Sequence, residues 1–196
     1  VPLVIIICLS LTVFADKLMI PMDVTQKNHL KAYGIAYWVL EQQEEVEWLL
    51  NYKGGSFLMN DYENIEKECL LRGVTFTTLS ESRAIGIKNE IANPSVNAEV
   101  VKLLKVPKIA VYSPKTAQPW DDAVTMVLKY AEIPYDVVFD DEVLSDKLPL
   151  YNWLHLHHED FTGQYGKFWA SYRNAPWYIN QVNEAQELAE KYGYTK

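Results

Sequence analysis

The sequence is short of cysteine, of clustered basic residues and of glycine-rich phosphate motifs, and each shortage removes a class of function. Cys8 and Cys69 are its only thiols. Cys8 lies in a leading apolar run that reads as a removable export signal, so the mature chain would keep Cys69 alone and no internal disulfide is open to it. Ile-Ile-Ile-Cys lacks the small residues that precede a lipidated cysteine, and Cys69, with Ile65 one turn before it on an expected helix, reads as a small buried hydrophobe. Lys and Arg number 18 against 26 Asp and Glu, a net charge of -8. No basic cluster is there to track a phosphate backbone, which argues against nucleic acid as a partner. The chain has no Walker-type loop, no dinucleotide glycine fingerprint and no Gly-x-Ser-x-Gly elbow, so phosphoryl transfer and dinucleotide chemistry lose their usual supports. Its leading apolar run is also shorter than the roughly 20 residues that span a bilayer.

What is present is core-forming material. Hydrophobic residues make up 49% and aromatics 13% of 196 residues, enough for one ample domain or a pair of half-domains. Residues 1–15 carry no charge and read VPLVIIICLSLTVFA, with Val13 and Ala15 at the small-residue positions before Asp16. That is the pattern of an export signal; an apolar strand or an uncleaved anchor is the alternative. Export places the mature protein in the periplasm or outside the cell, with no stable membrane span and with a small-molecule ligand or an exported protein as partner.

From residue 16 onward, apolar runs and helical periodicities alternate. Residues 17–22 read as a strand, 29–42 as a helix that is apolar on most faces with His29 in its first turn, and 46–51 as a second strand. Gly54-Gly55 then turns the chain into a hairpin partner at 56–59, although a diglycine is also able to cradle an anion. A helix capped at Asn60 or Asp61 runs to residue 71 and ends at Gly73. A β-branched strand at 74–79 and a helix at 80–91 follow, and Asn93-Pro94 opens an expected linker, 93–106. The second half opens with residues 108–112, apolar and bounded by Pro107 and Pro114, as expected of a strand buried on both faces. Pro119 suits the first turn of an amphipathic helix, with Trp120, Ala123, Val124, Val127, Leu128 and Ala131 on one face and Asp121, Asp122, Thr125, Lys129 and Glu132 opposite. Strands at 135–139 and 151–156, a helical stretch at 167–171 and a terminal helix complete the pattern. Strand–helix–strand order in both halves predicts an α/β fold with an open, mostly parallel sheet built from two βαβ-type halves, 16–92 and 107–196; the shared order also suggests a distant duplication. A last helix with no strand after it is expected of a piece of a longer protein.

Chemistry concentrates in residues 151–168, which hold three of the four histidines. On an extended strand His155 and His157 share one face while Leu154, Leu156 and His158 take the other. Three readings compete. Two or three histidines with Glu159 or Asp160 could hold Zn²⁺ or another divalent ion that activates water, with His155 and His157 as the pair of ligands. One histidine could act as a general base oriented by a carboxylate, drawing the catalytic set from His155, His157, His158, Glu159 and Asp160. The histidines could instead be satisfied structural residues, with Glu159 and Asp160 capping the next helix. Thr162, Gly163 and Gly166 precede a helical stretch and could bind an anionic ligand through backbone N–H groups, against which stands a plain flexible loop.

The runs HLKAYGIAYWVLEQ, EWLLNYKGGSFLM, PKIAVYSP with QPWDDAV, IPYDVVFDDEVL and LHLHHEDFTGQYGKF resemble a group of exported bacterial proteins commonly labelled asparagine synthetase B. The resemblance covers nearly the whole chain, and sequences of that group usually continue beyond the point reached here. The second half also resembles the class I glutamine amidotransferase-like fold, a flavodoxin-like parallel sheet. The resemblance implies an exported α/β protein with an amidotransferase-like domain. Glutamine-dependent asparagine synthesis is not expected, because neither an amino-terminal cysteine nucleophile nor a Ser-Gly-Gly-x-Asp-Ser loop is present. The alternative is a non-catalytic exported binding or assembly module using the aromatic residues from Trp169 to Tyr178.

Overall fold

The computed structural model describes residues 16–114, 122–156 and 165–194 and resolves two units, 1–106 and 107–196. The expected export signal, 1–15, lies outside the described residues. In the first unit the order is β1 (Lys17–Ile20), α1 (His29–Glu41), β2 (Val46–Leu50), β3 (Ser56–Asn60), α2 (Glu63–Arg72), β4 (Thr77–Leu79), α3 (Glu81–Ile91) and β5 (Glu99–Leu103). The sheet order is β4-β1-β3-β2-β5, and every neighbouring pair is antiparallel. β1 and β2 therefore run the same way with β3 inserted between them, and β3 and β4 do so around β1. This is a split βαβ arrangement, β4-β1-β3-β2 in ferredoxin-like order, extended by α3 and β5.

The expected parallel sheet is thus corrected for the first half. Strand–helix–strand order reads the same whether or not a third strand enters the gap, and the tight turn at 51–55 sends β3 straight back into it. The duplication suggested by strand order fails for the same reason, since the two sheets differ in strand direction. The expected linker is corrected as well. Glu99–Leu103 pairs with β2 over five residues, and its edge carries an ion pair, Lys102 Nζ to Glu45 Oε2 at 2.6 Å.

Period-2 alternation puts one set of side chains on each face of this sheet. Leu18, Ile20, Val46, Phe57 and Met59 face α1 and α2, while Met19, Leu49 and Leu58 face α3. Each fully buried Leu or Ile contributes about 1.5–3 kcal/mol. The inward stripe of α1 is Ala32, Ile35, Ala36 and Val39, one step round from the bulkier Leu30 and Tyr33, which stay exposed. Small residues on that stripe let α1 lie close to the sheet and to α2. Asn28 caps α1, accepting from Lys31 N at 3.2 Å. The cap position of α2 falls on Tyr62 and not on Asn60 or Asp61, whereas Gly73 ends that helix in the left-handed region as expected.

The β2–β3 turn packs against the end of β1. Met22 N donates to Lys53 O at 3.0 Å. A Cβ on Gly54, whose φ is +79°, would stand 2.3 Å from Met22 O. The diglycine is therefore a packed turn and its backbone is committed to β1. His29 belongs to the same corner, its Nε2 donating to Met22 O and Asp23 O, both at 3.1 Å. Buried Gln26 joins this corner to the segment after α2. Its amide donates to Pro21 O and Thr75 O and accepts from Thr75 N and Asn28 N. Cys69 is buried on the inner face of α2, and burial pushes its thiol up to about 12, which leaves it unreactive.

The second unit holds β6 (Ile109–Tyr112), α4 (Ala123–Ala131), β7 (Asp136–Val138), α5 (Asp140–Leu144), a 3-10 turn (Leu148–Leu150), β8 (Trp153–Leu156), α6 (Tyr165–Tyr172) and α7 (Pro176–Lys191). Its sheet is parallel, in the order β7-β6-β8, so this half has the expected strand direction. Ile109, Ala110 and Val111 are buried, as both-face coverage of a central strand requires. The helix after β6 starts later than Pro119 suggests: Asp122 is its cap, and of the expected inward face Leu128 and Ala131 are buried while Val127 is exposed. Pro119 and Trp120 lie outside the described residues. α6 and α7 gather Phe168, Tyr172, Trp177 and Tyr178 into one ring cluster. The end of α7 is tied to α5, with Lys191 Nζ 2.7 Å and Tyr192 Oη 3.0 Å from Asp141 Oδ1. No helix among the described residues is long and apolar enough to cross a membrane.

Two glycine substitutions separate packing from backbone conformation. Gly54→Ala meets backbone and strains φ, so it is expected to cost more than about 2 kcal/mol, whereas Gly73→Ala enters open space and is expected to cost only the left-handed penalty of about 1–2 kcal/mol. Urea unfolding of the two variants measures the difference; equal costs would contradict the packed turn.

Candidate functional site

The parallel sheet of the second unit has a point where the chain changes direction. From β6 it passes through α4 to β7 on one side, then returns through α5 to β8 on the other side of β6. Ligands in open α/β sheets bind at such a point, outside the carboxyl ends of the strands. The amino ends are held by other contacts. Asn152 Oδ1 accepts from Lys108 N at 3.0 Å, and Asn152 N donates to Lys108 O at 2.9 Å. These bonds set the register that places Val111 beside His155 and Tyr112 beside Leu156.

At the carboxyl side His155 meets the start of α4. Its Nε2 lies 2.7 Å from Asp122 Oδ2. Oδ1 of the same carboxylate accepts from Val124 N at 2.8 Å and caps the helix. Both groups are largely withdrawn from solvent, with side-chain exposures of 22% for His155 and 11% for Asp122. An ionised carboxylate only accepts, so Nε2 carries the proton and, in the neutral ring, Nδ1 holds the lone pair. The arrangement is a histidine whose tautomer and orientation are set by a buried carboxylate, a form suited to proton transfer at Nδ1.

Two further groups border this edge. Tyr112 Oη donates to Asp140 Oδ1, and its ring stacks on Phe139; Tyr112 lies on the sheet face opposite His155. Ser113 directly follows β6, its N–H donating to Val138 O at 3.0 Å, the bond that closes the β6–β7 ladder at the Tyr112–Val138 pair.

Of the residues the sequence singles out, His155 stands in β8 and pairs with Asp122. Gly166 lies in the first turn of α6, with open space where a Cβ would go. His157, His158, Glu159, Asp160, Thr162 and Gly163 lie outside the described residues. For a metal such as Zn²⁺, His155 and Asp122 bond each other, and no group of three His, Cys, Asp or Glu among the described residues could hold an ion. Sequence reasoning misses the carboxylate partner of His155 because Pro119 looks like the helix start. An Asp directly before an apolar-periodic run is itself a cap signal, and that signal places Asp122 correctly.

Comparison with known proteins returned no match: no family model, no curated protein and no solved structure is significantly similar to the chain.

The double role of Asp122 gives a stability test. Asp122→Ala removes the cap and leaves the Nε2–H of His155 without its acceptor, an expected loss of about 2 kcal/mol. Asp122→Asn keeps a good capping oxygen and is expected to cost less than about 1 kcal/mol. Chemical denaturation of both variants measures this; equal losses would contradict the double role.

Proposed function

We propose that the second unit is the amidotransferase-like domain of an exported protein of the group commonly labelled asparagine synthetase B, and that it hydrolyses or transfers the amide group of a small carboxamide. The observation that carries this reading is the 2.7 Å contact between His155 Nε2 and Asp122 Oδ2 at the carboxyl edge of a parallel sheet. His155 is the general base, taking a proton at Nδ1 from the attacking group and returning it to the leaving ammonia. Asp122 orients the ring and stabilises the imidazolium that forms. Net charge and the absence of phosphate motifs also favour a small polar substrate over a nucleotide. Asparagine synthesis driven by ATP is not part of the proposal.

A second reading, a non-catalytic exported binding or assembly module, is favoured by one feature: Trp169 and Trp177 are each 50% exposed beside Phe168 and Tyr172 on α6 and α7. Exposed aromatic clusters of this kind mark contact surfaces.

Ammonia release from L-glutamine and L-asparagine by the purified chain separates the two. The enzymatic reading expects release that falls by about 100-fold or more in His155→Ala, the usual weight of a general base. Release that His155→Ala leaves unchanged, or no release from either amide, would contradict it.

A further inference from the structure

The proposed reaction needs a nucleophile, and a buried serine stands next to the histidine–carboxylate pair. We infer that Ser113 is that nucleophile, so that Ser113, His155 and Asp122 form an acyl-transfer triad across the carboxyl ends of β6 and β8. The inference rests on the proposed function and adds to it the attacking atom and a covalent intermediate.

Ser113 is 7% exposed. Its hydroxyl makes a single contact among the described residues, to Pro114 O at 3.5 Å, the outer limit of a hydrogen bond. A hydroxyl nine-tenths buried with so poor a partner is costly to keep unless another group completes it. The register supplies that group. Val111 lies beside His155, and Ser113 directly follows the last residue of β6 with its N–H held by Val138 O; strand alternation carried one residue past β6 puts Ser113 on the face of Val111 and His155, two residues nearer the carboxyl end. Ideal sheet spacing then puts the Cα atoms of Ser113 and His155 roughly 8 Å apart, a separation two inward-reaching side chains can close. With Nε2 held by Asp122, Nδ1 is the nitrogen that serves the hydroxyl. Nucleophile and base are commonly further apart without substrate than in the reacting complex.

The step balances without a cofactor. Ser113 Oγ forms a bond to the carboxamide carbon as its proton passes to His155 Nδ1. The C–N bond breaks, and the proton goes to the departing amine, which leaves as ammonia. Water then attacks the acyl-serine, its proton passes to Nδ1, the C–O bond to Ser113 breaks, and Oγ recovers the proton as the carboxylic acid leaves. A second amine in place of water would give transfer in place of hydrolysis. Cys69 is no rival, being buried in the other unit with its thiol pushed up to about 12.

Treatment of the full chain with a fluorophosphonate probe, followed by intact-mass analysis and peptide mapping, tests the inference. One adduct on Ser113 is expected, absent from Ser113→Ala and formed about 100-fold more slowly in His155→Ala. As a guard against a misfolded alanine variant, Ser113→Cys should be alkylated by iodoacetamide at position 113 while Cys69 stays unmodified. No adduct on wild type under conditions that label a known serine hydrolase, an adduct that persists in Ser113→Ala, or an inert thiol at position 113 in Ser113→Cys would each overturn the inference. Amide hydrolysis that depends on His155 but leaves Ser113 unlabelled would overturn it alone, making water the direct nucleophile and leaving the proposed function in place.

Discussion

Asp122 holds the second unit's edge together because its two oxygens serve different elements. One caps α4 through Val124 and the other receives the ring of His155 from β8. The carboxylate thus links the helix after the central strand to the neighbouring strand, across the point where the chain changes direction. Largely withdrawn from water, it has little solvent to compete for those bonds, which strengthens both contacts and makes the loss of either partner costly. Register at the amino end, set by Asn152 and Lys108, delivers His155 to the right level, and the cap delivers Asp122. The two devices sit at opposite ends of β8, and the site needs both.

In the first unit the corresponding constraint is two-sided burial. A five-stranded antiparallel sheet covered by α1 and α2 on one face and α3 on the other leaves little freedom in register, since a one-residue slip would exchange the two sets of side chains. The corner formed by Gly54, Met22, His29 and Gln26 then fixes where the hairpin meets β1. His29 is explained by that corner: its ring nitrogen serves the carbonyls of Met22 and Asp23 in the loop after β1.

Much of the local structure is legible in the sequence. Apolar runs, the Gly73 helix stop and the diglycine hairpin all mark elements that form, because their causes are local. Strand direction in the first unit is not legible, since insertion of β3 between β1 and β2 depends on long-range pairing that periodicity does not record. β5 reads as linker because Glu99 and Lys102 interrupt its apolar residues, yet such charges are what an exposed sheet edge carries. At the site, the histidine stretch draws attention by composition, and His155 stands within it. Its partner lies 33 residues earlier, masked by a proline that looks like a better helix start, and Ser113 carries no sequence signal beyond its place at the end of a buried strand.

The central claim is that Asp122 fixes the tautomer of His155, and ring nitrogen NMR tests it most directly. In the neutral ring of the wild-type chain, two-bond ¹⁵N–¹H correlations should show the proton on Nε2 and the lone pair on Nδ1, and Asp122→Asn should shift both nitrogens. A ring protonated on Nδ1, or nitrogen shifts unchanged by Asp122→Asn, would contradict the account.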